Sequence, residues 1–324
     1  MKIFTPLRSK NDADILVETG SDEFFAGVMY EPWDKRFGRE IELNRRSFCG
    51  EQANFRCLED LDEAIKIVHN KEKKLFLTLN HHQFTNVQLP YLKDLIRDFK
   101  GINGDGIIVA DPNALEMGKE LGLKTAISTD WNVYNSETVK FFKKMGADRV
   151  ILSRDMSFDD IKAIREDVPD IEIEVFMING PCKFSDSMCF TTHSTEWGAF
   201  CRFLDGCNYD FRCHSGEQIE FKEQHNLQLN NFYYHKFFLQ RACGICAIWR
   251  LLQINIDACK VVGRVLPIER IKSEVGLVKR NIEIAKTCNS EHDYLERMDN
   301  PFKSIDKDSC KWGFQCYFPD VINY

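Results

Sequence analysis

Short apolar runs alternate with longer amphipathic stretches through most of this chain, and that alternation admits few architectures. The runs are KIF from Lys2, EFFAG at Glu23–Gly27, LFLTLN at Leu75–Asn80, GIIVA at Gly106–Ala110, TAIS at Thr125–Ser128, RVIL at Arg149–Leu152 and IEIEVFM at Ile171–Met177. An eighth, CKVVGR at Cys259–Arg264, precedes a helical pattern over residues 268–287. Helical patterns such as LEDLDEAIKIVHN, LPYLKDLIRDFK and SETVKFFKKMG lie between the runs, several opening on Ser or Asp and closing on Gly or Asn. Near-continuous apolar strands, each followed by a helix, indicate a parallel sheet covered by helices. Eight such units predict an α/β fold, a TIM-like (β/α)8 barrel. A doubly wound open sheet is the rival, but no Gly-rich dinucleotide fingerprint follows an early strand.

The barrel is expected to span residues 1–287 and to carry a cysteine-rich insertion, residues 179–258, between its seventh and eighth strands. In that insertion FYYHKFFLQRACGICAIWRLLQIN reads as mostly helical, and residues 288–324 form a polar, then aromatic, C-terminal tail. The formal charge of −7 argues against extended nucleic-acid binding, which needs a basic surface. The first residues lack the apolar run of a signal peptide, and no window approaches the roughly 18–20 apolar residues of a membrane span. A cytoplasmic protein is therefore expected. Thiols stay reduced there, so 13 cysteines point to metal or redox chemistry rather than disulfides.

Cys49, Cys57, Cys259 and Cys288 fall within element patterns and read as buried small hydrophobes. Cys182, Cys189 and Cys201 sit instead in an irregular stretch, and CGIC adds Cys243 and Cys246. A scattered trio with one CxxC suits an iron–sulfur cluster better than a zinc knuckle built on two tight pairs.

Barrel chemistry collects where strands end. Asn80, His81 and His82 follow the third strand, Asp111 the fourth, Asp130 the fifth, Arg154 and Asp155 the sixth, Asn179 the seventh and Arg264 the eighth. Arg154, Asp155 and Asp130 are the candidate catalytic residues, and Asn80, Asp111, Asn179 and Arg264 the candidate substrate-binding ones. Asp111 and Asp155 can equally cap the helices that follow them. The adjacent histidines point in different directions and suit a surface role as well. A buried arginine needs a partner or an anionic ligand, so Arg154 and Arg264 suit a substrate that carries a carboxylate.

Taken together, DEFFAG, GDGIIVADPNAL, ISTDWNVYNSETVKFFKKMGADRVILSRDMSFDDIKAI, IEVFMINGPC and CGICAIWRLLQINIDACKVVGR resemble the peptidase U32 family, over nearly all of the chain to about residue 287. The resemblance implies a TIM-like barrel and a 4Fe-4S cluster on four cysteines, carried over to Cys182, Cys189, Cys201 and Cys243. Cys243 is preferred to Cys246 because it stands 17 residues before Lys260, as the family's cysteine does before its matching lysine. Cys207, Cys213, Cys246, Cys310 and Cys316 exceed that set. The resemblance further implies oxygen-independent hydroxylation of RNA bases or a quinone ring, with prephenate as hydroxyl donor in several members and a homologous barrel as partner subunit in some. A peptidase and a non-catalytic, cluster-bearing subunit are the alternatives. The chain contains neither HExxH nor GxSxG. It departs from the family where Ile178–Asn179 replace HG, Asp155 replaces Glu in SRE, and Asp130 replaces Gln in STQ. It also stops soon after the barrel, without the further domain of the longer RNA-modifying members. A small molecule, a quinone-like ring or a peptide therefore gains on a large RNA as substrate.

Overall fold

The computed structural model describes residues 1–38, 41–180, 182, 189, 193–194, 198–199, 242–300 and 316–321. Its strands are β1 (Lys2–Leu7), β2 (Glu23–Val28), β3 (Asn54–Phe55), β4 (Lys74–Leu79), β5 (Gly106–Val109), β6 (Lys124–Ile127), β7 (Arg149–Ile151), β8 (Glu172–Ile178), β9 (His193–Ser194), β10 (Gly198–Ala199) and β11 (Ala258–Val261). Eight of them are parallel and run β1-β11-β8-β7-β6-β5-β4-β2, and β1 pairs with β2 to close the ring. Closure leaves no edge. The chain is thus a TIM-like (β/α)8 barrel. β3 adds a two-residue pairing beside the end of β2, and β9 and β10 form a small antiparallel pair inside the insertion.

All eight apolar runs lie on barrel strands. The eighth is shorter than CKVVGR suggests. Its register against β8 shifts between Lys260 and Val261, and the Val262 N–H then bonds Ile178 O at 3.1 Å. Residues 262–264 leave the ladder there, which lifts Arg264 over the barrel's end. The strands read as apolar because both faces are covered. In β4, Phe76 and Thr78 point into the lumen, and Leu75, Leu77 and Leu79, out of phase, face the helices.

The helical layer is α1 (Lys10–Leu16), α3 (Leu58–His69), α4 (Leu89–Gly101), α5 (Pro112–Glu120), α6 (Ser136–Met145), α7 (Phe158–Asp167) and a long helix, Ile268–Thr287, with α2 (Glu31–Phe37) in the connection after β2. Local sequence sets their starts: Ser9 accepts the Asp12 N–H at 3.1 Å, Asn135 accepts that of Thr138 at 2.9 Å, and Ser157 with Asp160 forms a capping box. In the insertion the expected long helix is described only from Ala242. Cys243 bridges to Ile178, a 3₁₀ turn spans Ile245–Ala247, and a helix runs Ile248–Gln253. The tail packs back on the barrel. Tyr294, in a helix Glu291–Arg297, donates to Ile245 O at 2.6 Å, Phe318 and Val321 are buried, and Asp320 accepts the Phe158 N–H at 2.7 Å.

At the end where the strands begin, the lumen is filled by charge as well as aromatic rings. Arg149 is fully buried (0% exposed). It donates to Glu23 at 2.6 Å, to Glu172 at 2.6 and 2.8 Å and to Glu174 at 3.1 Å. Its guanidinium lies 5.4 and 5.3 Å from the rings of Phe4 and Phe76. Lys260 pairs with Glu174 at 2.9 Å above the same Phe4 and Phe25, Lys2 pairs with Glu23 at 2.9 Å, and Lys124 pairs with Glu172. Burial pushes the Glu172 carboxyl up, but Arg149 and Lys124 outweigh it and hold the group down to about 2. Glu23 is lowered for the same reason, burial again opposing Arg149 and Lys2.

Removing one member leaves buried charge uncompensated. Glu174→Gln is expected to destabilise the fold by about 3–5 kcal/mol in chemical denaturation, and a loss under about 1 kcal/mol would mean that the network is dispensable. Folding depresses Glu23 and Glu172, so their stabilisation is present above the ordinary carboxylate value of 4.5 and is lost as the pH falls toward 2.

Candidate functional site

The opposite end of the barrel is roofed by the connection after β2. Asn44 and Asn54 build that roof. The Asn44 amide donates to Asn54 Oδ1 at 3.1 Å, and the Asn54 amide donates to Arg46 O at 2.8 Å and Gly50 O at 2.9 Å. The oxygens of both amides then face Arg264. Its guanidinium donates to Asn44 Oδ1 at 2.8 Å, Thr78 Oγ1 at 3.1 Å and Asn54 Oδ1 at 3.4 Å. Gly27 makes room for this: a Cβ there would lie 2.0 Å from Asn54 Oδ1 and 2.4 Å from Arg264 Nη1. Arg264 is 7% exposed, and among the described residues it has neutral acceptors and no carboxylate partner. Burial, with Arg46 beside it, pushes its pKa down to about 9 against the opposing Cys49 and Glu42. Arg46 is lowered too, by burial first, with Cys49 opposing.

A second chain of contacts leads toward the thiols. Asn80 donates to Asp130 Oδ2 at 2.8 Å and to Ser128 Oγ at 3.2 Å, and the Ser128 hydroxyl donates to Asp130 Oδ2 at 2.8 Å. Arg45 lies 3.7 Å from the other Asp130 oxygen and donates from Nη2 to the Cys189 sulfur. Arg154 stacks 4.0 Å above the Phe176 ring and donates to Gly180 O. Gly180 is left-handed (φ 69°), and a Cβ on it would lie 3.1 Å from Arg154 Nη1.

The remaining expected site residues do other work. Asp111 is an N-cap: Oδ1 accepts the N–H groups of Asn113 at 2.8 Å and Ala114 at 3.3 Å, and Oδ2 accepts that of Phe84 at 3.1 Å. Asp155 lies exposed at the rim, accepting the Tyr134 hydroxyl at 2.8 and 2.9 Å. Asn179 is buried and locks the start of the insertion. Its backbone N–H bonds Ala242 O at 2.8 Å, its amide donates to Val262 O at 3.1 Å and to Glu274, and its side-chain oxygen accepts from Arg270 at 3.2 Å. The Tyr317 hydroxyl donates to its carbonyl.

Of the expected thiol ligands, Cys182 is exposed, and Cys189 and Cys243 are partly buried, all beyond the carboxyl ends of the strands. Cys201, Cys207, Cys213 and Cys310 lie outside the described residues. Among the described residues no three His, Cys, Asp or Glu side chains gather around one ion position. The donor chemistry nevertheless fits an iron–sulfur cluster, whose several metal atoms separate its ligands more widely than a single ion does. Cys49 and Cys259 are buried as expected, and Cys57 and Cys288 are half-buried. Cys316 pairs with Cys243 through the backbone, both thiols being free, and contact with the Cys246 thiol pulls Cys316 below its ordinary range.

Glu42, Arg45, Arg46, Asn44 and Asn54 escape a reading based on strand ends, because they belong to a connection without periodicity. For all but Asn54, which lies on β3, the signal is the ELNRRSFCG segment, residues 42–50, with its two adjacent arginines. Among the described residues, seven buried side-chain polar atoms lack a hydrogen-bond partner, and five of these follow barrel strands: Glu42 Oε1 and Oε2, His81 Nδ1, His82 Nε2 and Ser153 Oγ. Orphaned polar atoms are rare in folded proteins, so their concentration at one end marks a place prepared for a ligand. Burial raises Glu42 to about 7 despite three nearby arginines. Burial also lowers His81 to about 4, helped by His82 and Arg45.

No helix among the described residues is long and apolar enough to cross a membrane. A family model described as Peptidase family U32 matches residues 9–322. An uncharacterized protease of Methanocaldococcus jannaschii is 26% identical over 99% of this chain and 74% of its own length. The tRNA hydroxylation protein P1 of Bacillus subtilis is 25% identical over 87% of this chain and 63% of its own length. The tRNA hydroxylation protein P of Haemophilus influenzae is 35% identical over 58% of this chain and 38% of its own length. The chain therefore spans less than two thirds of the hydroxylation proteins it matches. With a family model covering nearly its whole length, the chain belongs to peptidase family U32.

Proposed function

We propose that this barrel is an oxygen-independent hydroxylase that carries a 4Fe-4S cluster and takes a carboxylate-bearing hydroxyl donor such as prephenate. The observation that carries this reading is Arg264, a nearly buried cation with neutral partners only among the described residues, set among atoms orphaned there. A carboxylate is the ligand that such a guanidinium lacks. Relatives named tRNA hydroxylation proteins support the reaction class.

Cys182, Cys189, Cys201 and Cys243 would hold the cluster, which supplies the site's redox capacity when bound. The chain's own residues do the rest. Arg264 orients the donor through its carboxylate, with Asn44, Asn54 and Thr78 fixing the guanidinium beforehand. Asn80 and Asp130 present a fixed amide and carboxylate toward the acceptor molecule, and Arg45 ties that pair to Cys189. The acceptor is a small molecule, a quinone-like ring, a peptide or an RNA base. A homologous barrel is the kind of partner subunit that would complete a larger surface, and the reading places the protein in the cytoplasm.

Protein purified without oxygen is expected to show a broad visible absorption band and about four irons per chain, both lost in Cys182→Ala and Cys243→Ala. Colourless protein with zinc or no metal, cleaving casein after chelation, would favour a peptidase instead. Arg264→Gln is expected to weaken prephenate binding at least about tenfold by equilibrium titration, since removing one partner of a buried charge pair costs about 2–5 kcal/mol. Asp111→Ala should lower stability by about 1 kcal/mol, as loss of a helix cap does, and leave that binding unchanged.

A further inference from the structure

We infer that Glu42 is a proton-linked counter-charge for the anion site: the barrel takes up its anionic ligand together with a proton that comes to rest on Glu42. The inference deepens the reading of Arg264 as an anion site and rests on it.

Glu42 is 4% exposed, and both of its oxygens lack a hydrogen-bond partner among the described residues. The charged groups acting on it are Arg45 and Arg46 from its own connection, Arg264 from the segment after β11, and Asp130 from the segment after β6. None of the three arginines donates to it. Arg45 engages Asp130 and Cys189, Arg46 engages Cys49, and Arg264 engages three neutral oxygens. Among the described residues an ionised Glu42 is therefore a buried carboxylate held by the arginines' field without a direct hydrogen bond, and its two protonation states lie close in free energy near neutrality.

A second negative charge decides between those states. When Glu42 is ionised it neutralises part of the arginine field that an incoming anion needs. When an anion sits on Arg264, like-charge repulsion disfavours ionised Glu42, as it does for paired carboxylates. The stable bound state therefore pairs the ligand anion with the carboxylic acid. The proton comes from solvent and forms an O–H bond on Glu42, and no bond in the ligand breaks. By linkage, anion affinity must fall as the pH rises past the point where free Glu42 ionises. His81 does not replace Glu42 in this role: burial keeps it neutral down to about 4, so it takes up no proton near neutrality.

The test uses malonate, a small dicarboxylate, titrated calorimetrically into the purified, cluster-loaded protein at about pH 7 in two buffers of different ionisation enthalpy. Wild type should take up a fraction of one proton, and its affinity should fall by up to about tenfold per unit on the alkaline side. Glu42→Gln should bind with no uptake and little pH dependence. Glu42→Asp should keep the uptake and shift its pH range. Thermal melts provide a readout independent of binding. Relative to Glu42→Gln, wild type, whose Glu42 is raised on folding, should lose stability as the pH rises from 4.5 toward 7; the comparison cancels the opposite slope that His81 contributes to both proteins. Uptake that persists unchanged in Glu42→Gln would overturn the inference and leave the anion site standing. Malonate binding that is absent, or indifferent to Arg264→Gln, would overturn the anion site and the inference together. Malonate binding with the expected linkage but no prephenate binding would sustain the inference and remove the proposed donor.

Discussion

The barrel closes around a buried guanidinium. Arg149 on β7 holds Glu23 of β2 and both Glu172 and Glu174 of β8, and those carboxylates draw in Lys2 of β1, Lys124 of β6 and Lys260 of β11. Six of the eight strands thus share one ionic network at the end where they begin. An isolated buried charge would be costly, but here each charge meets a partner, and Phe4, Phe25 and Phe76 cover the cations with ring faces. The network also fixes register. Moving one strand by a single residue would turn its charged member toward the helices and leave the others unpaired.

This arrangement separates stability from chemistry along the barrel axis. At one end the charges in the lumen are paired. At the other, Glu42, His81, His82 and Ser153 hold atoms with no partner among the described residues, and Arg264 has no carboxylate there. The segment that would hold a cluster is anchored at both of its flanks to the carboxyl end of β8. Asn179 and Gly180 begin it, and Ala242 and Gly244 return beside them, Ala242 O accepting the Asn179 N–H and the Gly244 N–H donating to Met177 O. Tyr317 and the long helix Ile268–Thr287 hold Asn179 from behind. Thiols placed on such a segment inherit its position from the barrel rather than from a ladder of their own.

The sequence showed the strands because burial on both faces makes them continuous apolar runs, a signal that survives without knowing the partners. It did not show that Glu23, Arg149, Glu172, Glu174 and Lys260 point inward. A charge inside a strand pattern looks the same whether it faces solvent, a helix or the lumen. Strand ends were legible as positions, and Asn80, Asp130, Arg154 and Arg264 do gather near the mouth. What each does there was not legible. Asp111 and Asp155 carry the same carboxylate in similar settings, yet one is consumed by three backbone N–H groups and the other lies at the rim against Tyr134. The roof residues were invisible for a different reason. Asn44, Arg45 and Arg46 owe their placement to amide pairs that form only once β3 docks beside β2, a contact that no local period encodes.

The mouth is the reverse of a design for stability. Well-packed apolar residues in place of Glu42 and Arg264 would avoid desolvating two charged groups, and nothing in the paired half requires either of them. A buried cation whose acceptors are all neutral gains less than it loses on leaving water, and a buried carboxyl without a hydrogen bond loses more. A fold can carry that deficit because its extensive apolar core and closed sheet supply stability elsewhere. On the proposed reading the deficit provides affinity: a ligand anion that completes Arg264 would recover interaction energy that its neutral acceptors do not supply. The Gly27 backbone, bare of a Cβ so that Asn44, Asn54 and Arg264 can meet over it, shows how closely the strand below is fitted to that purpose.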